Sequence, residues 1–285
     1  MQKAETIVKR ASASAFGVRI ERSRGWELPN LRDLWHYREL MSFLCWRDIK
    51  VRYKQTVLGI LWAFVQPFTK LVVFSIIFGH LARVGSEGFP YPIFVYAGLL
   101  PWEYFAASLN RTSQSVVGNS NLISKVYFPR LIIPIAATGS GLVDFAISFL
   151  VLVGLMFYYG IAPGVQVLMV VPLLLLTLLA ALGVGTFLSA LNVAYRDFSY
   201  VVPFLIQTWM FLTPVIYPVT IFPDRWRWLI GLNPMTGLVG AWRAAILGGA
   251  FDWASLGVSV AITAAAFVVG ALYFRRLERY FADII

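Results

Sequence analysis

Between residues 47 and 67 the chain passes from a cationic segment straight into an apolar one, RDIKVRYKQTVLGILWAFVQP. Arg47, Lys50, Arg52 and Lys54 fall within eight residues, and from Val57 onward almost every side chain is apolar. A junction of this kind belongs at a membrane surface. Basic residues flanking a span are retained on the cytoplasmic side, so the N-terminus is expected inside and the first span outward. The topology of everything downstream follows from this point.

The composition agrees: 59% of residues are hydrophobic and only 13% charged. A hydrocarbon-spanning helix needs about 20 apolar residues, and the chain has room for several. The net charge of +10 is unevenly placed, since residues 1–56 hold 12 of the 24 Lys and Arg against 6 of the 14 Asp and Glu. That bias fits a lipid-facing cytoplasmic segment and argues against a nucleic-acid partner. The single cysteine, Cys45, excludes an internal disulfide. Residues 1–30 carry six Lys and Arg and no apolar core, so no cleavable leader is expected there.

Taken in order, residues 1–30 read as a mobile cytoplasmic tail. Residues 31–50 read as an amphipathic helix within an interface segment spanning 31–54. Arg32, His36, Glu39, Arg47 and Lys50 lie on one face, opposite Leu31, Leu34, Trp35, Met41, Leu44, Cys45 and Ile49; Arg38, Asp48 and Phe43 interrupt the pattern. Such a helix is too polar to span and should lie at the headgroups, with Trp35 and Trp46 at that level. Residues 55–285 read as a six-span domain, with spans at 57–80, 92–117, 132–159, 166–191, 200–218 and 253–274.

The spans are not uniformly apolar. Lys70 interrupts span one; at mid-membrane a Lys costs roughly 2.5–3.5 kcal/mol, so it should face protein or a wet path. Span two holds Pro101, Glu103 and Arg111. The last two are eight residues apart, about 12 Å along a helix and too far to pair, so each is expected to face the interior. Pro101 predicts a break or kink. Asp144 is buried in span three, and Gly183 and Gly185 in span four allow close helix packing.

Two connections stand out. Residues 118–131, GNSNLISKVYFPRL, return to the cytoplasm with Lys125 and Arg130 as their only charges. Asn119, Ser120 or Asn121 can cap a short helix there that Pro129 ends. Leu122, Ile123, Val126, Tyr127 and Phe128 give it more apolar surface than a loop requires. It either lies on the membrane or docks into a partner protein. Residues 219–252 form the second, external connection. A charged aromatic cluster (Arg225, Trp226, Arg227, Trp228) precedes a break at Asn233 and Pro234, then an apolar stretch containing Arg243. Neither piece spans alone, and together they read as a re-entrant pair of half-helices, tolerable only against protein or a water-filled cavity. Both termini are then cytoplasmic. The four cytoplasmic segments hold 18 Lys and Arg, against four outside, with Lys70 and Arg111 completing the 24.

Covalent chemistry is not expected of the chain. No Gly-Lys dipeptide occurs, hence no phosphate-binding loop. Two His and one Cys make no transition-metal site. Glu103 and Asp144 lie in different spans and read as isolated, unlike a proton relay. The remaining signal is aromatic: 45 Phe, Trp and Tyr. Trp62, Phe68, Trp102, Tyr104, Trp209 and Tyr217 either pack the core and interfacial belts or line a path along which sugar rings slide on aromatic faces.

RDIKVRYKQTVLGILWAFVQP at 47–67, NLISKVYFPR at 121–130, AYRD at 194–197, TPVIYP at 213–218 and LNPM at 232–235 resemble the membrane subunits of ABC-2 type polysaccharide exporters, over about residues 30–285. The resemblance implies an all-α membrane protein forming a homodimer with a channel between protomers and two separate cytoplasmic ABC ATPase subunits below. No cofactor is implied in this chain; ATP and Mg belong to the partner. Residues 31–50 match the family's interface helix. Residues 119–128 match its coupling helix, with Asn121, Leu122, Ile123, Lys125, Tyr127, Phe128 and Arg130 meeting the ATPase. Residues 221–248 match its external gate, with Trp226, Trp228, Asn233 and Arg243. The implied cargo is a lipid-linked polysaccharide, foremost O-antigen, with capsular polysaccharide or teichoic acid as alternatives. Its lipid pyrophosphate is expected to meet Arg47, Lys50, Arg52 and Lys54, in the bacterial inner membrane. Two other classes remain: an ABC-2 exporter of drugs or small lipids, and a secondary carrier, which would need inverted repeats and an ion site.

Overall fold

A computed structural model describes residues 31–54, 61–279 and 281. The tail at 1–30 and the first residues expected of span one lie outside them. No strand occurs among the described residues. The helices are α1 (Leu31–His36), α2 (Arg38–Lys54), α3 (Trp62–Phe74), α4 (Tyr91–Gly118), α5 (Ser120–Lys125), α6 (Ile132–Gly139), α7 (Leu142–Tyr158), α8 (Val170–Ala194), α9 (Phe198–Leu212), α10 (Asp224–Gly231), α11 (Pro234–Leu247) and α12 (Trp253–Glu278). A wider π-helical turn, Ser75–Leu81, extends α3, and a 3-10 turn, Val165–Met169, leads into α8.

Four helical segments are long and apolar enough to cross a membrane: Trp62–Leu81, Ile132–Tyr158, Val165–Ala194 and Trp253–Glu278. Helix α4 has 28 residues, ample length, but it carries Glu103 and Arg111. It is largely enclosed, with Phe94, Tyr96, Trp102 and Phe105 almost fully buried. Pro101 does not break it; the helix runs through the proline. Helix α9 is apolar but has only 15 residues.

Helix α8 packs along both α4 and α12. Where α8 meets α12, a Cβ on Gly183 would stand 2.7 Å from the Phe267 backbone, and one on Gly270 would strike the Gly183 carbonyl. The two backbones touch there, which only glycine permits. Gly185 makes the corresponding room for Thr112 of α4. Helix α12 starts on a side-chain cap: Asp252 accepts from the Ser255 amide at 3.1 Å and the Ser255 hydroxyl at 2.6 Å.

A second apolar cluster gathers at one end of the bundle. Leu44, Val116, Ile123, Phe128, Leu131, Ile132, Val193, Phe274 and Phe281 are buried together there. It joins α2, the connection after α4, and the ends of α8 and α12. The amphipathic expectation for residues 31–50 is modified. The helix is interrupted at Tyr37 and continues to Lys54. Leu34, Met41, Leu44 and Cys45 pack against the protomer, whereas Trp35 is 70% exposed.

The stretch read as one continuous span three is broken at Ser140 and Gly141. The break places Asp144 in the first turn of α7, where the helix dipole favours a carboxylate.

Candidate functional site

Asp144 is the hub of the candidate site. Its Oδ1 accepts from the Tyr53 hydroxyl, and its Oδ2 accepts from Arg52 Nη1 and from Arg111 Nη1, the latter at 3.1 Å. Three elements therefore meet at one carboxylate: the last turn of α2, the middle of α4 and the start of α7. Burial, and then the hydrogen bond to Asp144, pushes the Tyr53 phenol up to about 12, so it remains a neutral donor. The break at Ser140 and Gly141 makes this possible twice over. It starts α7 beside Asp144, and it leaves Gly141 without a side chain where Arg111 must pass. A Cβ at Gly141 would collide with Arg111 Nη2. Gly141→Ala is therefore expected to push Arg111 off Asp144 and to lower the melting temperature of the purified protein by several degrees. An unchanged melting temperature would mean that Arg111 has another way round.

A cavity of about 400 Å³ opens beside this carboxylate, lined by Arg52, Tyr53, Trp62, Gln66, Pro67, Glu103, Tyr104, Arg111 and Phe145 among others. At Glu103 a second ion pair closes the wall: Lys70 Nζ donates to both carboxylate oxygens, at 2.7 and 2.6 Å. The expectation that Glu103 and Asp144 are isolated is therefore corrected. Each is paired, but with a cation on another helix, which spacing within one span cannot reveal. Lys70 is met by Glu103 of α4, though its side chain stays 44% exposed.

Of the four basic residues at the junction, Lys50 and Lys54 are exposed; Lys50 lies over the Trp46 ring at 5.3 Å. Arg47 is committed to Asp48 Oδ1 at 2.7 Å and to Asn119 Oδ1 at 2.8 Å, and Arg52 to Asp144. The four do not form one cationic patch.

Helix α5 ends at Lys125, and Val126 is already extended. The expectation of a helix to residue 128 is thus shortened. Asn119 stands at the cap position, but its side chain receives Arg47 and donates to the Ser115 carbonyl at 2.8 Å. Asn121, Lys125, Val126 and Tyr127 are exposed and Leu122 is half-buried, whereas Ile123 and Phe128 are buried inside the protomer. Arg130 is turned back onto the C-terminal helix: its side chain donates to the Glu278 carbonyl, and its amide to Glu278 Oε1 at 3.0 Å. Ile123, Phe128 and Arg130 hold the connection in place and present little surface to a partner.

The aromatic expectations divide. Trp62 and Phe68 on α3 are about half exposed. Trp102 is buried, 6.4 Å from Trp209 by ring centroids. Tyr104 is also buried, with only an edge at the cavity. Trp209 packs edge-on against Phe105 at 5.2 Å and donates to Asn233 Oδ1 at 3.0 Å. Tyr217 donates to the Phe211 carbonyl at 2.6 Å. Trp102 and Trp209 therefore belong to the protomer core.

Helices α10 and α11 also differ from each other. Trp226 and Trp228 on α10 are exposed, whereas α11 is buried almost throughout. Asn233 is the joint between them. It caps α11 through the Met235 amide and ties α11 to Trp209 and Thr213. Arg243, expected at an external gate, is 7% exposed. It lies 3.9 Å over the Phe94 ring and donates to the Phe94 and Val215 carbonyls.

A family model for the ABC-2 type transporter matches residues 39–247. The O-antigen export system permease protein RfbA of Myxococcus xanthus is 32% identical over 216 residues, covering 75% of this chain and 82% of that protein. Its namesake in Klebsiella pneumoniae is 28% identical over 254 residues, covering 89% and 97%. The polysialic acid transport protein KpsM of Escherichia coli is 24% identical over 242 residues, covering 81% and 91%. The matched region takes in α2 with its basic end, the Asp144 cluster, the α5 connection and the α10–α11 pair, and by this match the chain belongs to the ABC-2 type transporter family.

Proposed function

We propose that the chain is the membrane subunit of an ATP-driven exporter that moves a lipid-linked polysaccharide, O-antigen foremost, across the bacterial inner membrane. The observation that carries this is the near end-to-end similarity to O-antigen export permease proteins. The similarity to KpsM keeps a capsular polysaccharide as the second cargo.

In this reading six segments cross the membrane. Helices α4 and α9 join the four long apolar ones, and the end carrying α2 and α5 faces the cytoplasm. The α10–α11 pair is the external gate. A second copy of the chain completes a channel along α3 and α9. Two features support that face. Leu71 and Val202 are the one buried residue each of α3 and α9. The exposed residues there include Gln66, Thr69, Lys70, Gln207 and Thr208, which hydrocarbon would not tolerate cheaply.

Energy comes from a separate ATPase subunit, which holds ATP and Mg. It docks on the exposed rim of Asn121, Lys125, Val126 and Tyr127. That rim shares an apolar cluster with α2, and Arg47 bridges α2 to Asn119, so a push on α5 moves α2 with it. The last turn of α2 is tied through Asp144 to α4 and α7, and the displacement reaches the spans by that route. Two states with different contacts at these joints supply the coupling.

Tyr127→Ala removes the largest exposed side chain of the rim without touching the buried Phe128. It is expected to weaken ATPase binding on the order of tenfold or more, as for an interface anchor, and to stop polymer export with the chain still folded. Co-purification of the ATPase and an export assay in vesicles check it. Full export by the variant, or ATP-independent transport by the wild type, would sink the reading.

A further inference from the structure

The C-terminal end of α12 is locked to the connection that follows α5. Glu278, the last residue of α12, accepts the Arg130 amide on Oε1 at 3.0 Å, and its main-chain carbonyl accepts the Arg130 guanidinium. Just beyond, Phe281 is 1% exposed. It packs edge-on against Phe274 at 5.2 Å, lies 6.0 Å from the Arg130 guanidinium, and shares its apolar cluster with Ile123 and Phe128.

Each side of this joint satisfies the other. The connection is irregular, with Val126 extended and Pro129 lacking an N–H, and its Arg130 amide goes to Glu278. A carboxylate in the last turn of a helix faces the negative end of the helix dipole, and the Glu278 side chain is only 18% exposed. The Arg130 amide offsets that cost, together with Arg275 at 3.8 Å. Arg130 in turn caps a carbonyl at the end of α12, where a helix has no partner of its own to offer. Parting the two segments strands amide, guanidinium, carboxylate and carbonyl beside an apolar cluster, and buried groups left unpaired are costly. The connection and α12 therefore move together.

The other end of α12 is held as closely, by α11. A Cβ on Gly237 of α11 would stand 2.3 Å from the Ser255 carbonyl and 2.5 Å from Ser259 Oγ. The two helices are in backbone contact there, and neither can slide past the other without a clash. Between these ends α12 is one unbroken helix without proline. From Ser255 to Glu278 it covers about 35 Å at 1.5 Å per residue. The Gly183 and Gly270 contact backs it with α8 partway along. A close-packed helix held in this way transmits a displacement along its length instead of absorbing it.

We propose that α12 is a strut linking the connection after α5 to α11, with Glu278 as the positioning residue at its base. The inference rests on the reading above, in which the α5 rim receives the ATPase and the α10–α11 pair is the external gate. It adds a second route to that reading. The Asp144 joint carries the push to α4 and α7, and the Glu278 joint carries it across the membrane to α11. Glu278 itself touches neither the ATPase nor the cargo.

The test uses the full chain with its co-purified ATPase in nanodiscs, where both faces are open to reagent. Cys45→Ala removes the single thiol, and Leu232→Cys places one at the exposed turn before α11. The rate of its labelling by a charged maleimide is read with and without ATP and vanadate. In this background the nucleotide is expected to change the rate. Glu278→Ala should shrink that change about fivefold or more, the scale of a coupling between distant sites, while the ATPase stays bound. Glu278→Gln, which keeps an oxygen for the Arg130 amide, should restore most of it. ATP hydrolysed per polymer exported should rise in Glu278→Ala alone. A purely structural Glu278 would lower the yield of folded complex and leave both ratios per complex unchanged, which overturns the proposal. If Glu278→Ala fails to fold, Arg130→Met removes only the guanidinium from the joint, and an undiminished change in that variant overturns the strut equally. Either of those results leaves the gate reading standing. No response to nucleotide in the Leu232→Cys background, with ATPase bound, overturns the gate reading and the strut with it.

Discussion

Asp144→Asn is expected to destabilise the protein by about 2–3 kcal/mol. Removing one member of a fully buried pair costs roughly 3–5 kcal/mol; the lower figure applies because the Asp144 and Arg52 side chains are 30% and 35% exposed. The substitution keeps the shape and an acceptor for Tyr53, but Arg52 and Arg111 then face each other with no charge between them. Repulsion and the lost ion pairs act together. A double-mutant cycle separates these terms. Asp144→Asn combined with Arg52→Gln leaves one cation where the single variant leaves two, so the double variant should be less damaged than the sum of the singles. Unfolding of the purified variants in detergent measures this, and strict additivity would show that the three groups are not coupled. Transport should fail in Asp144→Asn beyond what stability explains, because the carboxylate joins α2 to α4 and α7.

Arg243→Ala should cost more, about 3–5 kcal/mol. The side chain is 7% exposed, so truncation opens a cavity over the Phe94 ring and leaves the Val215 carbonyl without its 2.6 Å donor. That carbonyl lies in the turn after α9, and Gly98 of α4 is close enough that a Cβ there would stand 2.8 Å from Arg243 Nη2. One guanidinium thus holds α4, α11 and the end of α9 together. Arg243→Met keeps most of the volume without the donors or the charge and should lose clearly less than Arg243→Ala. Arg243→Lys keeps the charge but not the planar fork and should fall between wild type and Ala. Melting temperatures rank the three. If Met equals or exceeds wild type, the charge is a net cost that packing alone can replace.

Much of the architecture is legible along the chain because membrane insertion depends on local sums. A run of apolar residues is costly in water wherever the rest of the molecule lies, and basic flanks bias orientation locally. The apolar segments, the short helix after residue 118 and the break at Asn233 and Pro234 could all be read that way. The internal break of the Ile132–Tyr158 segment is read through, although Gly139, Ser140 and Gly141 carry a weak local signal for it; apolar runs on both sides outweigh three small residues in a sum over the segment. Pro101 makes no break: α4 continues through it, since neighbouring groups can take up a freed carbonyl in a membrane bundle.

The candidate site divides along the same line. That Lys70, Glu103, Arg111 and Asp144 matter follows from sequence alone, because an ionisable side chain in a span is too costly to be idle. Which of them pair does not follow. Lys70 and Glu103 are 33 residues apart, and Arg52 and Asp144 are 92 apart. Only the packing of α3, α4 and α7 brings those side chains within hydrogen-bond reach. The same holds for exposure. Tyr127 and Phe128 are equally apolar neighbours, yet in an extended segment adjacent side chains point to opposite sides, so one reaches solvent and the other the core. Trp102 and Arg243 likewise read as surface groups of a channel or gate until tertiary packing closes over them. The sequence by itself determined the membrane setting, the helical class and the set of costly polar residues, all of which rest on local free energies. Tertiary structure alone decided which charges neutralise one another and which aromatics remain exposed, since those depend on distances between segments far apart in the chain.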